Sequence, residues 1–357
     1  MTAFFHRLTA YRSLAVLLGS FALLAVVTDV ASVPLLQRVV TVLFINLILV
    51  LSLQMFMGNS GYLSFAHVGF MGIGAYASAV LAMPVDAKGA ALPNLYGFLV
   101  DIQLPFLPAV LVGAGVAALV AAVFGYPLMR LSESAAAIAS FALLVIVHVV
   151  LSQWGELTNG PRTLFGVLPY TNLWTAATWG LVALVVAYAF KQSSLGLKLR
   201  ASRDNIHAAS SVGIDVVRVR WVALVVSAFV AGFAGALWAH FITSFSPGAF
   251  YLSQTFVILT MLIVGGPRTV SGAALGVALV TTVHEGLRRV ENGLNLQGTL
   301  PFQVVGMTEV LLAVALIAML AFRPGGIVQT REIASRIRKT PPQGPHETAE
   351  TRGSGHD

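Results

Sequence analysis

Long apolar runs separated by short polar punctuation fill most of this chain. A helix that crosses a bilayer needs about 20 predominantly apolar residues. Five windows, Val39–Met57, Ser60–Met83, Leu104–Met129, Trp221–Thr243 and Leu252–Pro267, approach or exceed that length without one Lys, Arg, Asp or Glu. Ser13–Thr28, Ala135–Gln153, Asn172–Phe190, Thr269–His284 and Phe302–Phe322 have the same character, with Glu309 as their one charged residue, and bring the predicted number to ten. The pattern predicts an all-α, polytopic transmembrane helix bundle of about ten spans. The count falls to eight if Leu252–Pro267 and Thr269–His284 form a single re-entrant or tilted pair around Gly265-Gly266-Pro267. Losing both together leaves the topology of everything else unchanged.

Composition excludes the soluble reading of the same pattern. Of the 357 residues, 57% are apolar and 10% charged, and mean hydropathy is +0.85; an average soluble domain is roughly 25% charged. Zero cysteines remove disulfide, thiol and thiolate-metal chemistry. Short cytoplasmic loops collect Lys and Arg. With the N-terminus inside, ten alternating spans place sixteen of the 21 Lys and Arg residues on the inner face. Both termini are then cytoplasmic. Residues 1–328 form the membrane domain and 329–357 a polar tail, expected to be disordered for lack of apolar residues. The N-terminal run also admits a signal-peptide reading, with Val30-Ala31-Ser32 as the small-residue cleavage site.

Several chemistries have no motif to support them. There is no phosphate-binding G-x-x-x-x-G-K-[ST], no G-x-S-x-G, no H-E-x-x-H, and no acidic pair inside one span. The eight histidines are scattered singly, without metal-ligand spacing. The chain therefore reads as a non-enzyme with no metal and no cofactor of its own. Polar residues inside spans mark pathways or interhelical hydrogen bonds; Asn46, Gln54, His67, His148 and Glu309 are the candidates. Gly58-Asn59-Ser60-Gly61 is expected to unwind a junction, so that Asn59 and Ser64 face a watery path. Gly61, Gly72, Gly74, Gly232, Gly235, Gly272 and Gly276 are candidates for close helix packing, since small residues let backbones approach in lipid.

The loop 191–220 is the longest polar connection before the tail, with six cations against Asp204 and Asp215. Its spacing predicts a short helix capped by Ser202 or Asp204, with Ile206, Ala209 and Gly213 on one face and Gly213 ending it in a left-handed conformation. Such an element can dock on a soluble partner or lie on anionic lipid.

Four groups of residues carry a family resemblance. Gly58-Asn-Ser-Gly-Tyr-Leu-Ser-Phe-Ala-His67 through Gly74-Ala-Tyr76 resembles the "G-x-x-G-x-L-S-x-G-H" signature of permease subunits of branched-chain amino acid ABC importers. Leu157-Thr-Asn-Gly-Pro-Arg-Thr-Leu-Phe-Gly166 resembles the family's "L-T-G-G" loop, with Asn159 replacing a glycine. Ser194 to Ile214 resembles its cytoplasmic coupling loop, and Val264-Gly-Gly-Pro-Arg-Thr-Val-Ser-Gly272 with Phe322-Arg-Pro-Gly-Gly-Ile327 its closing turns. The Arg-Pro ending is similar to that of the second of the two permeases that usually pair. Departures are Ala66 for a glycine, and Ile206 and Ser210 where the family commonly has acids.

The resemblance implies a second permease subunit, two cytoplasmic ABC ATPases holding ATP and Mg, and a periplasmic substrate-binding protein. It implies ATPase coupling through Arg200, Arg203, Asp204, Asn205, Ala208, Ala209 and Gly213, and leaves Asn46, Asn59, Ser64, His67 and Glu309 as substrate-path candidates. It does not decide between branched-chain amino acids and the urea, amide or aromatic-acid substrates of relatives. An ion-coupled transporter working alone and a non-transporting scaffold remain the readings from other classes.

Overall fold

The computed structural model describes residues 2–296, 306–322 and 326–328. The described residues are mostly helical, in the order α1 (Thr2–Ala31), α2 (Pro34–Leu53), α3 (His67–Ala82), α4 (Val85–Ala91), α5 (Gly97–Val100), α6 (Phe106–Leu128), α7 (Glu133–Gln153), α8 (Gly155–Thr158), α9 (Leu173–Gln192), α10 (Ser194–Asp204), α11 (Ile206–Ser211), α12 (Val216–Ile242), α13 (Leu252–Gly265), α14 (Val270–Leu296) and α15 (Met307–Phe322). Among the described residues, eight helical segments are long and apolar enough to cross a membrane, and α3 is a shorter apolar helix. The chain is a multi-pass membrane protein.

The burial of each helix follows its surroundings. In the most apolar eighteen residues of Pro34–Gly58, which includes α2, 89% of positions are buried, against 22% in the corresponding stretch of Arg12–Ala31 in α1. So α2 is wrapped by protein, and α1 lies at the edge, touching α2 through Phe21 and Phe44 edge to face, ring centroids 6.0 Å apart. The centre is the trio α3, α6 and α12. Its closeness comes from missing side chains: a Cβ on Gly74 would lie 2.1 Å from the Gly232 carbonyl, one on Gly235 would lie 1.9 Å from that of Met71, and one on Gly232 would lie 2.6 Å from Ala117 Cβ. Gly72 differs, since it meets the side chains of Phe250 and Leu151 rather than another backbone. In the α13–α14 hairpin, Gly265, Gly272 and Gly276 interlock the same way, and Gly276 has the Met261 carbonyl 1.9 Å from where a Cβ would be. These are two separate helices joined by 266–269.

Buried polar side chains stitch the trio, as a lipid environment requires of groups without water. His67 of α3 bonds Ser227 of α12 through Nε2 at 3.1 Å and Ser64 through Nδ1 at 3.0 Å. Because the Ser227 hydroxyl already donates to Leu224 O, His67 Nε2 is the donor and Nδ1 the acceptor. The pattern is inverted at the other end: Ser78 of α3 bonds Nε2 of His240 of α12 at 3.0 Å, and His240 Nδ1 donates to Leu168 O at 3.1 Å.

The departures from the family pattern have local explanations. Asn159 ends α8 at φ 67°, the left-handed conformation that asparagine tolerates better than other side chains, and its Nδ2 donates to Thr163 O. Ala66 precedes α3 at φ −71°, a value open to any residue, so no glycine is needed there. Between α3 and α6, Lys88 is 1% exposed and its ammonium donates to the carbonyls of Leu99 and Ile102. Burial pulls its pKa below the ordinary lysine value, with Asp101 opposing.

Candidate functional site

The break between α2 and α3 is where sequence, backbone and loop converge. α2 ends in a π turn, Gln54–Gly58, and residues 61–64 belong to no regular element before α3 begins at His67. A π turn frees backbone carbonyls from the regular ladder and is frequent at functional positions. Here Asn59 fills part of that deficit, with Nδ2 donating to Met55 O at 2.9 Å and to Gln54 O at 3.3 Å. Gly61 turns the chain at φ +78°, a conformation that glycine adopts without penalty.

Two arginines of the polar loop, one near its middle and one at its end, hold this break. Arg203, near the end of α10, donates from Nη1 to the Gly58 carbonyl at 2.8 Å. Its stem lies on Gly61, where a Cβ would come within 2.8 Å of Arg203 Cγ. Arg220, in the first turns of α12, is 4% exposed and donates from Nη1 to the Tyr62 hydroxyl at 2.6 Å. Its guanidinium carbon lies 4.0 Å from the Tyr62 ring centroid. Gly58 also abuts the α13–α14 turn: Gln54 Nε2 donates to Pro267 O at 3.4 Å, and a Cβ on Gly58 would lie 2.1 Å from that same oxygen. A displacement of α10 would therefore pull on the end of α2, the entry to α3 and the turn at Pro267 together.

The loop folds as two short helices rather than one. Ser193 caps α10 by accepting from Gly196 N, Asn205 caps α11 by accepting from Ala208 N at 3.0 Å, and Asp215 caps α12 by accepting from Arg218 N at 3.0 Å. The expected caps Ser202 and Asp204 do not serve. Ser202 is buried inside α10, bonding Leu199 O, and Asp204 is exposed and paired with Arg203 at 3.2 Å. Asparagine at 205 wins because its short amide reaches the third amide of α11 from the extended conformation that ends α10. Gly213 does turn left-handed, at φ +81°. The predicted small face is not a single face: Ala209 is 3% exposed, packed within the chain, while Ile206 and Gly213 are exposed. Arg200 is tied to its own loop by bonds to Lys191 O at 2.8 Å and Gly196 O at 3.3 Å. Burial and then Arg203 lower its pKa, and Asp204 opposes them.

The described path candidates bond to different partners within the chain. Asn46 accepts from Gln254 of α13 at 3.3 Å. Asn59, Ser64 and His67 are each buried to 3% exposure or less and bonded within the chain. Glu309 lies in α15, and its side chain is outside the described residues. So are Arg323, Pro324 and Gly325 and the tail 329–357. His148 stacks on Tyr251, with centroids 4.0 Å apart. Among the described residues no three His, Asp or Glu side chains gather as a metal site would need. Sequence reasoning missed Arg220, Tyr62, Ser227 and Gln254, whose partners stand some 160 to 210 positions away along the chain.

Comparison with known proteins agrees with the motifs. The chain is 27% identical over 285 residues to the high-affinity branched-chain amino acid transport system permease protein LivM of Salmonella typhimurium, covering 70% of this chain and 63% of that protein. Identity and coverage are the same for LivM of Escherichia coli. A nucleoside ABC transporter permease protein, NupC of Lactococcus lactis, is 32% identical over 90 residues, 24% of this chain and 28% of that protein. The chain spans about three fifths of the length of the LivM proteins it matches. No solved structure matches it. Residues 35–321 match a single family across the break, the loop and the hairpin, and the chain belongs to that family, the permease component of the branched-chain amino acid transport system.

Proposed function

We propose that this protein is a membrane-spanning permease subunit of an ABC importer for branched-chain or related amino acids. In this reading it pairs with a second permease, receives substrate from a periplasmic binding protein, and is driven by two cytoplasmic ATPases that hold ATP and Mg. The observation that carries the reading is the double grip of Arg203 and Arg220 on the α2–α3 break. A polar loop whose arginine bonds the buried C-terminal end of α2 is built to convey movement from outside the bundle to inside it. Family membership and the distribution of Lys and Arg support the same arrangement, with loop 191–220 and both termini cytoplasmic. Residues 1–328 then act as the permease domain and 329–357 as a cytoplasmic tail. Substrate would pass along the surface shared with the second permease, with Asn46, Asn59, Ser64, His67 and Glu309 as the residues to test. The span of one permease against the other would alternate as ATP is bound and hydrolysed.

The test is reconstitution of the complete transporter in vesicles. Arg203→Ala should assemble with the ATPases and hydrolyse ATP near the wild-type rate while uptake of labelled leucine falls at least tenfold; Arg203→Lys should recover part of the uptake. Uptake that persists without ATP and collapses with the proton or sodium gradient would instead establish an ion-coupled transporter.

A further inference from the structure

A second polar feature of the loop is unrelated to the break. A cleft between α10 and α12 is lined by Ser194, Leu195 and Lys198 from the first helix and by Arg218, Val219 and Val222 from the second. Its two cations are exposed, and among the described residues neither forms an ion pair. Asp215 is the acid closest along the chain, and it is engaged as the cap of α12 through the Arg218 amide. The floor is aliphatic. The cleft thus combines two uncommitted positive charges with an apolar wall.

Its depth follows from the neighbouring aromatic residues. Trp221, one helical turn beyond Arg218, donates from Nε1 to Ala122 O and packs edge to face on Tyr126, centroids 5.8 Å apart. Arg130 covers the other part of that cluster, 4.6 Å from the Tyr126 ring centroid, with a hydrogen bond to its hydroxyl. Trp and Tyr concentrate at the headgroup level of a bilayer. Three residues of helix rise about 4.5 Å, so Arg218 lies just polar of that level and Val222 just apolar of it.

We propose that this cleft binds the phosphate headgroup of an anionic phospholipid, with Lys198 and Arg218 on the phosphate and Leu195, Val219 and Val222 against the glycerol and the start of the acyl chains. An acidic face of a protein partner would also complement the cations, but would leave the aliphatic floor at headgroup depth unused. Basic recesses between membrane helices are a recurrent setting for such headgroups. The site would tie the base of α12 to the lipid composition around it.

The purified full-length protein, delipidated and placed in nanodiscs, tests this. Native mass spectrometry should show phosphatidylglycerol retained over phosphatidylcholine by the wild type. Retention by Lys198→Gln/Arg218→Gln should drop roughly thirty-fold, from about 1 kcal/mol per cation near the surface, and Lys198→Arg/Arg218→Lys should restore most of it. Equal retention of the two lipids by the wild type, a test that needs no variant, overturns the site. So does displacement of phosphatidylglycerol by millimolar inorganic phosphate, which would make the site one for free anion. A double Gln variant that keeps its lipid but loses co-purifying ATPase would assign the cleft to a protein partner and overturn the proposal too.

Discussion

At the scale of single residues, side-chain volume and backbone sign dominate. Gly235 has the Met71 carbonyl 1.9 Å from the position of an added Cβ, so Gly235→Val must push α12 off α3. A backbone oxygen cannot turn aside as a side chain can, and overpacking of about 3 kcal/mol or more is expected. Thermal denaturation in detergent should show the loss, whereas Gly89→Ala, which meets nothing within 4 Å, should match the wild type. An unchanged melting temperature for Gly235→Val would discredit the close-packed trio. Asn159 makes a converse case. At φ 67° a β-branched residue is strained, so Asn159→Val should destabilise by about 1–2 kcal/mol, and Asn159→Gly should be tolerated. If the valine variant melts with the wild type, the left-handed turn is not formed in solution. Both residues were visible in the sequence as small or turn-forming. What each one touches was not.

Helices are held together here by few bonds of long sequence range. The α3–α12 pair carries one Ser–His bond at each end, His67 with Ser227 and Ser78 with His240. In membranes such bonds contribute about 0.6–2 kcal/mol each. His67 and Ser78 are eleven residues apart on one helix, roughly 16 Å, far enough for their effects to add. Ser227→Ala and Ser78→Ala should each lower stability by about 1 kcal/mol, and the double variant by the sum. A double variant no worse than the poorer single one would mean that the two ends open as one unit. Tyr62→Phe belongs at this level because it removes one bond between the break and α12 while keeping the ring under Arg220. The guanidinium then loses a buried partner, at about 1–3 kcal/mol, and unfolding by urea should occur at lower concentration. The windows that read as helices were legible from hydropathy, since lipid demands unbroken apolar runs. That Asn205 rather than Ser202 or Asp204 caps α11 was less so, because three neighbouring residues can all cap and only the angle between α10 and α11 chooses among them.

For the molecule as a whole, orientation is the property on which the transport reading stands. The chain has no cysteine, so a single introduced thiol reports its own side of the membrane. Ser211→Cys, exposed at the end of α11, should react with a membrane-impermeant maleimide in inverted vesicles and stay unlabelled in intact cells. Labelling in intact cells would place the loop outside and end the coupling scheme. Long apolar runs and the motif order were enough to establish a multi-pass helical protein of this family, because bilayer thickness acts on local sequence. The grip of Arg203 on Gly58 and the stacking of Gly74 on Gly232 depend on residues some 145 to 158 positions apart, and the cleft between α10 and α12 on how the loop folds back on itself. Those contacts are set by which helices become neighbours, and a local pattern of apolar positions is the same for every neighbour a helix could have.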